Sequence, residues 1–172
     1  FTESVGSPEQ NARLVNPSVW IQPELRQEWS NGAHRATVIP FGRYDSLDSH
    51  RSHFDLREAN WLHKGDGWTI QAGVGKVFWG VTESRHLIDI VNQTDEVESI
   101  RGEDKLGQPM VNLNVATRYG NLNLLYLPYF RERTYPSVKG RLRFELPVDT
   151  GHAQIHGANH WHPDWALRWS HT

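Results

Sequence analysis

Cysteine is absent from the 172 residues, so neither a disulfide framework nor a thiolate metal site is open to this chain. Charge of one sign is lacking too. The formal net charge is −2, and no basic excess points to a nucleic-acid partner. Long hydrophobic runs are missing: the longest, over residues 124–130, contains Pro128 and falls far short of the roughly 20 apolar residues of a transmembrane helix. No signal peptide is evident and the first residue is Phe1, so the sequence is expected to begin after processing or inside a longer gene product. Hydrophobic residues reach only 37%, against roughly 45–50% for globular domains counted with Gly. Eight tryptophans stand against that scarcity. Few apolar residues with many aromatics suit a soluble core poorly. They are expected of a strand-built wall that is wet on one side and belted with aromatics.

What the sequence has in quantity is period-two alternation. Over residues 19–30, Val19, Ile21, Pro23, Leu25, Gln27 and Trp29 share one face, and Trp20, Gln22, Glu24, Arg26, Glu28 and Ser30 the other. Asn31-Gly32, a strong hairpin signal, follows. Further strands are predicted over 34–45, 51–63, 68–78, 111–119, 122–133 and from 164 to the end. In the 51–63 strand Phe54 and Leu56 share a parity with Glu58, which a bulge near Arg57 would resolve. Turns near Asn31, Asp66 and Gly120 are tight, while the connections at 46–50, 79–109 and 134–163 are longer, so short and long alternate. Trp29, Trp61, Trp68 and Tyr119 lie near the tight turns; Trp20, Tyr44, Phe78, Phe130 and Trp165 lie toward the long connections.

This pattern predicts an all-β, antiparallel transmembrane β-barrel, with short periplasmic turns and long outer loops, in a bacterial outer membrane. A soluble sandwich or lipocalin-like barrel would also alternate. Strand length, the alternation of connections, and Pro23, Pro40 and Pro128 at apolar-face positions favour the membrane form. Bacterial barrels have an even strand number, and seven strands are predicted. The chain is therefore expected to be an internal part of a single barrel domain, with strands before residue 1 and after residue 172.

Three segments, 54–59 (FDLREA), 75–80 (GKVFWG) and 89–95 (DIVNQTD), resemble a porin-like proteobacterial outer-membrane β-barrel family of poorly characterised function. That family is related to the alginate-export and phosphate-selective porin barrels. The segments 102–110 (GEDKLGQPM), 130–133 (FRER) and 162–171 (HPDWALRWSH) are similar in the same way, and the likeness runs from about residue 18 onward. It implies channel-like passage and does not specify the solute.

The segment between Gly80 and Gln108 is rich in charge and is expected to fold into the lumen as a constriction. The alternative is a solvated outer loop. Leu87, Ile88, Ile90 and Val91 would be costly to leave in water together, which favours the inward arrangement. Asp89, Asn92 and Asp95 are expected to anchor it to wall arginines such as Arg57 and Arg118, against the small residues Gly73 and Gly75. The expected pore-lining or constriction set is Arg57, Glu83, Arg85, Asp89, Asn92, Asp95, Arg118 and Arg131. The inward arginines suit either a lumen tolerant of anions or a lattice of mutual ion pairs.

Of His152, His156, His160 and His162, the first three would share a helical face, but Gly151, Gly157 and Pro163 oppose a helix there, and no metal or cofactor is expected. Ser84, His86 and Asp89 have no spacing that makes them a triad, so the chain is not expected to be an enzyme. The expected function is diffusion of small polar solutes, with outer-membrane lipid as surroundings and homo-oligomerisation left open. A barrel with a plugged lumen and a surface binding or structural role is the alternative. An outer-membrane hydrolase is the third reading.

Overall fold

A computed structural model of the chain describes residues 10, 13, 15–79, 91–99, 101–141, 143–144, 146, 148–153 and 159–171. Its strands are β1 (Ser18–Ile21), β2 (Leu25–Trp29), β3 (His34–Asp45), β4 (His53–Lys64), β5 (Trp68–Gly75), β6 (Gln108–Thr117), β7 (Gly120–Leu127) and β8 (Asp164–Ser170). All pair antiparallel in one sheet, in sequence order, with β1 and β2 side by side along the same edge of β3. The sheet is open: β1 and β2 form one edge and β8 the other.

The tight turns and the long connections fall at opposite ends of this meander. At one end are Ser30–Ala33, closed by a 3.1 Å backbone bond, the turn after Lys64, and the two residues Arg118 and Tyr119. Ser30, Asn31 and Gly32 all take positive φ, the conformation for which an Asn-Gly pair is suited. The last turn sits at Arg118–Tyr119 and not at Gly120–Asn121, because Gly120 already pairs with Thr117.

Proline explains two of the places where the strands fall short of their predicted lengths. The 19–30 strand is broken around Pro23 into β1 and β2, and the 122–133 strand stops at Leu127, before Pro128. Proline has no N–H for the ladder. β5 ends at Gly75, short of the predicted residue 78. Pro40 is tolerated inside β3 for a related reason. On one side it faces the gap between β1 and β2; on the other the register shifts, with Ile39 opposite Glu58 and Pro40 opposite Leu56. Arg57 is the extra residue of that bulge. Asp55 and Arg57 are buried on one side of it and Asn60 on the other, so the inward parity of β4 switches.

The two faces of the sheet differ in an unusual sense. One face carries Ile21, Leu25, Val38, Tyr44, Phe54, Leu124, Trp165, Leu167 and Trp169, all exposed; Phe54 is 75% and Leu167 67% accessible. The opposite face carries Thr37, Asp45, Asp55, Arg57, Asn60, Asn112 and Asn123, all buried. The polar side is covered by the chain's own connections, and among the described residues nothing covers the apolar side. The small apolar core lies on the covered side, where Val77, Val91, Met110 and Leu125 meet.

Aromatics edge the exposed face at both ends. Near the tight turns Trp29, His34, Trp61, His63 and Trp68 stack in succession, with ring centroids 4.4–6.0 Å apart. Near the long connections Tyr126 lies 4.4 Å from Trp165. Trp20 departs from this belt: it pairs with Arg43 and stacks at 6.4 Å on Phe41, on the polar side.

Candidate functional site

The covered polar face is the candidate site. Residues 91–99 and 101–107 lie across it as a small folded-back loop. Leu106 N–H donates to Gln93 O and Asp95 N–H to Asp104 O, each at 2.8 Å, with a bridge between Thr94 and Lys105. Gly107 lets the loop approach the wall, since a Cβ there would fall 2.3 Å from the Arg57 carbonyl oxygen and 2.7 Å from Val74.

Asn92 is the clamp. Its Nδ2 donates to Gly75 O and Leu106 O, each at 2.9 Å, and its Oδ1 accepts from Val77 N–H at 2.7 Å. One buried amide thus satisfies the backbone at the point where β5 ends and where the loop rejoins β6. The expected partner of Asn92 was a wall arginine. The amide serves backbone groups instead, because the strand end leaves them without ladder partners.

Asp95 lies at the centre. It is buried, accepts from Arg57 Nη1 at 2.6 Å on one oxygen and from the Thr134 hydroxyl at 2.6 Å on the other. Burial disfavours its charge, but the bonds from Thr134 and Arg57 outweigh that and hold its carboxyl below the ordinary range. Arg57 also pairs with Asp55 at 3.1 Å and stacks over the Phe41 ring at 4.3 Å. Asp55 in turn accepts from Arg131, which donates to Gly107 O at 2.9 Å through its other nitrogen. The result is a continuous chain of ion pairs ended by a hydroxyl hydrogen bond, Arg131–Asp55–Arg57–Asp95–Thr134, that ties β4, the loop and the segment after β7 together.

Two further carboxylates hold the loop's acidic turn. Glu98 meets Arg43 at 2.6 Å and His53 at 3.7 Å, and Glu96 meets Arg133 at 3.6 Å. Burial pushes both glutamate carboxyls up, against the pull of Arg43 on Glu98 and of Arg133 on Glu96.

Of the residues expected at the site, the structure brings together Arg57, Asn92, Asp95 and Arg131. Arg118 is not among them. It is exposed in the β6–β7 turn with its guanidinium 4.5 Å from the Tyr119 ring, at the end of the sheet away from the loop. Glu83, Arg85 and Asp89 lie outside the described residues, as do Ser84, His86 and Leu87, Ile88 and Ile90. Val91 is buried in the apolar core, but the glycines do not make room for it. The space beside Gly75 is taken by Met110 and Gln71, and Gly73, at φ +124, lies against the Ala59 carbonyl. His156 is outside the described residues, and among those described no group of three or more His, Asp or Glu is placed to hold a metal.

Asp55 and Thr134 were not singled out from the sequence, and Glu98 was read only as one of the charged residues of the 80–108 loop. For Asp55 a signal was present: with the expected bulge at Arg57, its parity puts it on the polar face. Comparison with protein-family models, curated proteins and solved structures finds no match to this chain.

Proposed function

We propose that this sheet is part of the wall of an outer-membrane β-barrel and that the protein passes small polar solutes through the barrel lumen. One observation carries the reading: the sheet buries its charged and amide side chains and exposes its apolar ones, with aromatics at both ends of the exposed face. In water such a face is a large unpaired apolar patch. Against lipid it is the ordinary arrangement of a barrel wall, whose lumen side is polar. The family resemblance of the FDLREA, GKVFWG and DIVNQTD segments agrees with it. The loop over 91–107 is then a lumen constriction, its acidic turn held to the wall by Arg43 and Arg57.

The same loop favours a second reading, a barrel whose lumen is plugged and whose role lies at the surface, because the ion pairs fasten it at several points. Planar-bilayer recording of the full-length protein separates the two. A channel predicts discrete conductance steps, larger when residues 86–104 are replaced by a short turn. A silent wild type that starts to conduct on shortening the loop supports the plug. Silence of both, in protein that assembles, rejects the channel.

A further inference from the structure

The polar face divides into two halves of different electrostatic character. Toward the long connections, cations meet carboxylates: Arg43 with Glu98, Arg57 with Asp55 and Asp95, Arg131 with Asp55, Arg133 with Glu96. Toward the tight turns the pattern changes. Lys64, Thr69, Asn114, Asn123 and Arg168 stand in register across β4 to β8 as one lateral row. At the usual strand spacing that row is about 19 Å wide. It has a cation at each end and neutral hydrogen-bonding side chains between.

Above the row, Lys76 follows β5 and the chain crosses so that the Trp79 indole N–H donates to Asn123 Oδ1 at 2.8 Å. The cleft between row and indole has a volume of about 700 Å³. Lys64, Lys76 and Arg168 line it, with Asn112, Asn114 and Asn121, and among the described residues no carboxylate does. Among the described residues none of the three cations makes an ion pair. Cations gathered on one cleft raise one another's energy, and an oxyanion entering the cleft relieves that cost. For Lys76, burial and Arg57 add to the cost, and Glu58, Asp104 and Asp55, which lie outside the lining, offset part of it. Amide and hydroxyl donors from the asparagines, Thr69 and Ser170 are at hand to complete its hydrogen bonds.

We propose that this cleft is a binding station for a solute bearing an oxyanion, a carboxylate or a phosphate group. The assignment names a solute class for the lumen and rests on that reading for its place on a transport path. Binding itself does not depend on transport.

The test titrates the full-length protein in detergent calorimetrically, with sodium succinate and separately with sodium phosphate, at low and at high ionic strength. Saturable binding of at least one anion is expected, weakened by salt. In the combined variant Lys64→Gln, Lys76→Gln, Arg168→Gln the affinity should fall at least about tenfold, whereas Lys139→Gln, in an exposed loop, should change nothing. If the combined variant fails to assemble, the three single variants are titrated, and each should weaken binding. Succinate binding alone assigns the station to carboxylates, and phosphate binding alone to phosphates. Absence of saturable binding, or unchanged affinity in the variants, overturns the proposal. Conductance measured on the same preparation separates the two readings. Channel activity without anion binding overturns this station alone. Anion binding without conductance overturns the channel and leaves the station.

Discussion

Arg57 answers to two carboxylates because strand alternation puts Asp55, two residues before it, on the same side, with Asp95 arriving from the loop. All three are buried. Removing one partner from such a set leaves an uncompensated buried charge, a loss of roughly 3–5 kcal/mol. Arg57→Met should destabilise the full-length protein by about that much in urea unfolding from detergent, and Arg57→Met/Asp95→Leu by clearly less. A single variant as stable as wild type would mean that the network holds nothing in place. The carboxyls also set a pH dependence. Asp95 is held below its ordinary range, so its contribution is present above that range and fades as pH falls through the depressed value. Glu96 and Glu98 are raised, chiefly by burial, so lowering the pH from neutral through their raised values removes a cost and favours the docked loop. Thermal stability should therefore peak at mildly acidic pH. Glu98→Gln should reduce the rise on the neutral side, and Asp95→Asn the fall on the acid side. A wild-type curve that climbs steadily from acid to neutral contradicts the assignment of Glu96 and Glu98, and one with no fall on the acid side contradicts that of Asp95.

At the scale of elements, side-chain facing is the sharpest expectation. Leu113 and Leu124 lie opposite each other on the apolar face, and Asn112 lies one residue away on the polar face. A lysine on the lipid side near the bilayer midplane costs roughly 2–4 kcal/mol in a barrel wall, and a lumen-side lysine less. Leu113→Lys should lower the yield of assembled full-length protein far more than Asn112→Lys. Equal yields would mean a slipped register, which inverts every face. This layer of structure was legible in the sequence, because alternation and turn chemistry are local. Residues 34–45 were predicted as a strand with the bounds of β3, and the Glu58 parity conflict located the bulge at Arg57. The interruption at Pro23 was less legible, since proline was read as a face marker and not as a break. The partners of Asn92 were not legible at all. They are backbone groups of β5, of the following residues and of the loop's far end, brought together by folding across distant stretches of chain. Arg118 was misplaced by the turn itself, which closes two residues earlier than the glycine suggested.

The whole molecule presents an inverted amphipathic sheet: amides and ion pairs inside under its own loops, aliphatic and aromatic side chains outside. In the proposed barrel the outside meets lipid. The most direct measurement exploits the absence of cysteine from the chain. Single cysteines are introduced in the full-length protein at Val38, Leu113 and Leu124, and at Thr69, Asn114 and Arg168. Each is spin-labelled and reconstituted in lipid vesicles, and its accessibility to oxygen and to a water-soluble nickel chelate is compared by electron paramagnetic resonance. The account predicts that labels at the first three sites collide with oxygen and are shielded from the chelate, as in a bilayer, and that labels at the other three respond to the chelate. Chelate access at Val38, Leu113 and Leu124 equal to that at Thr69, Asn114 and Arg168 would contradict it.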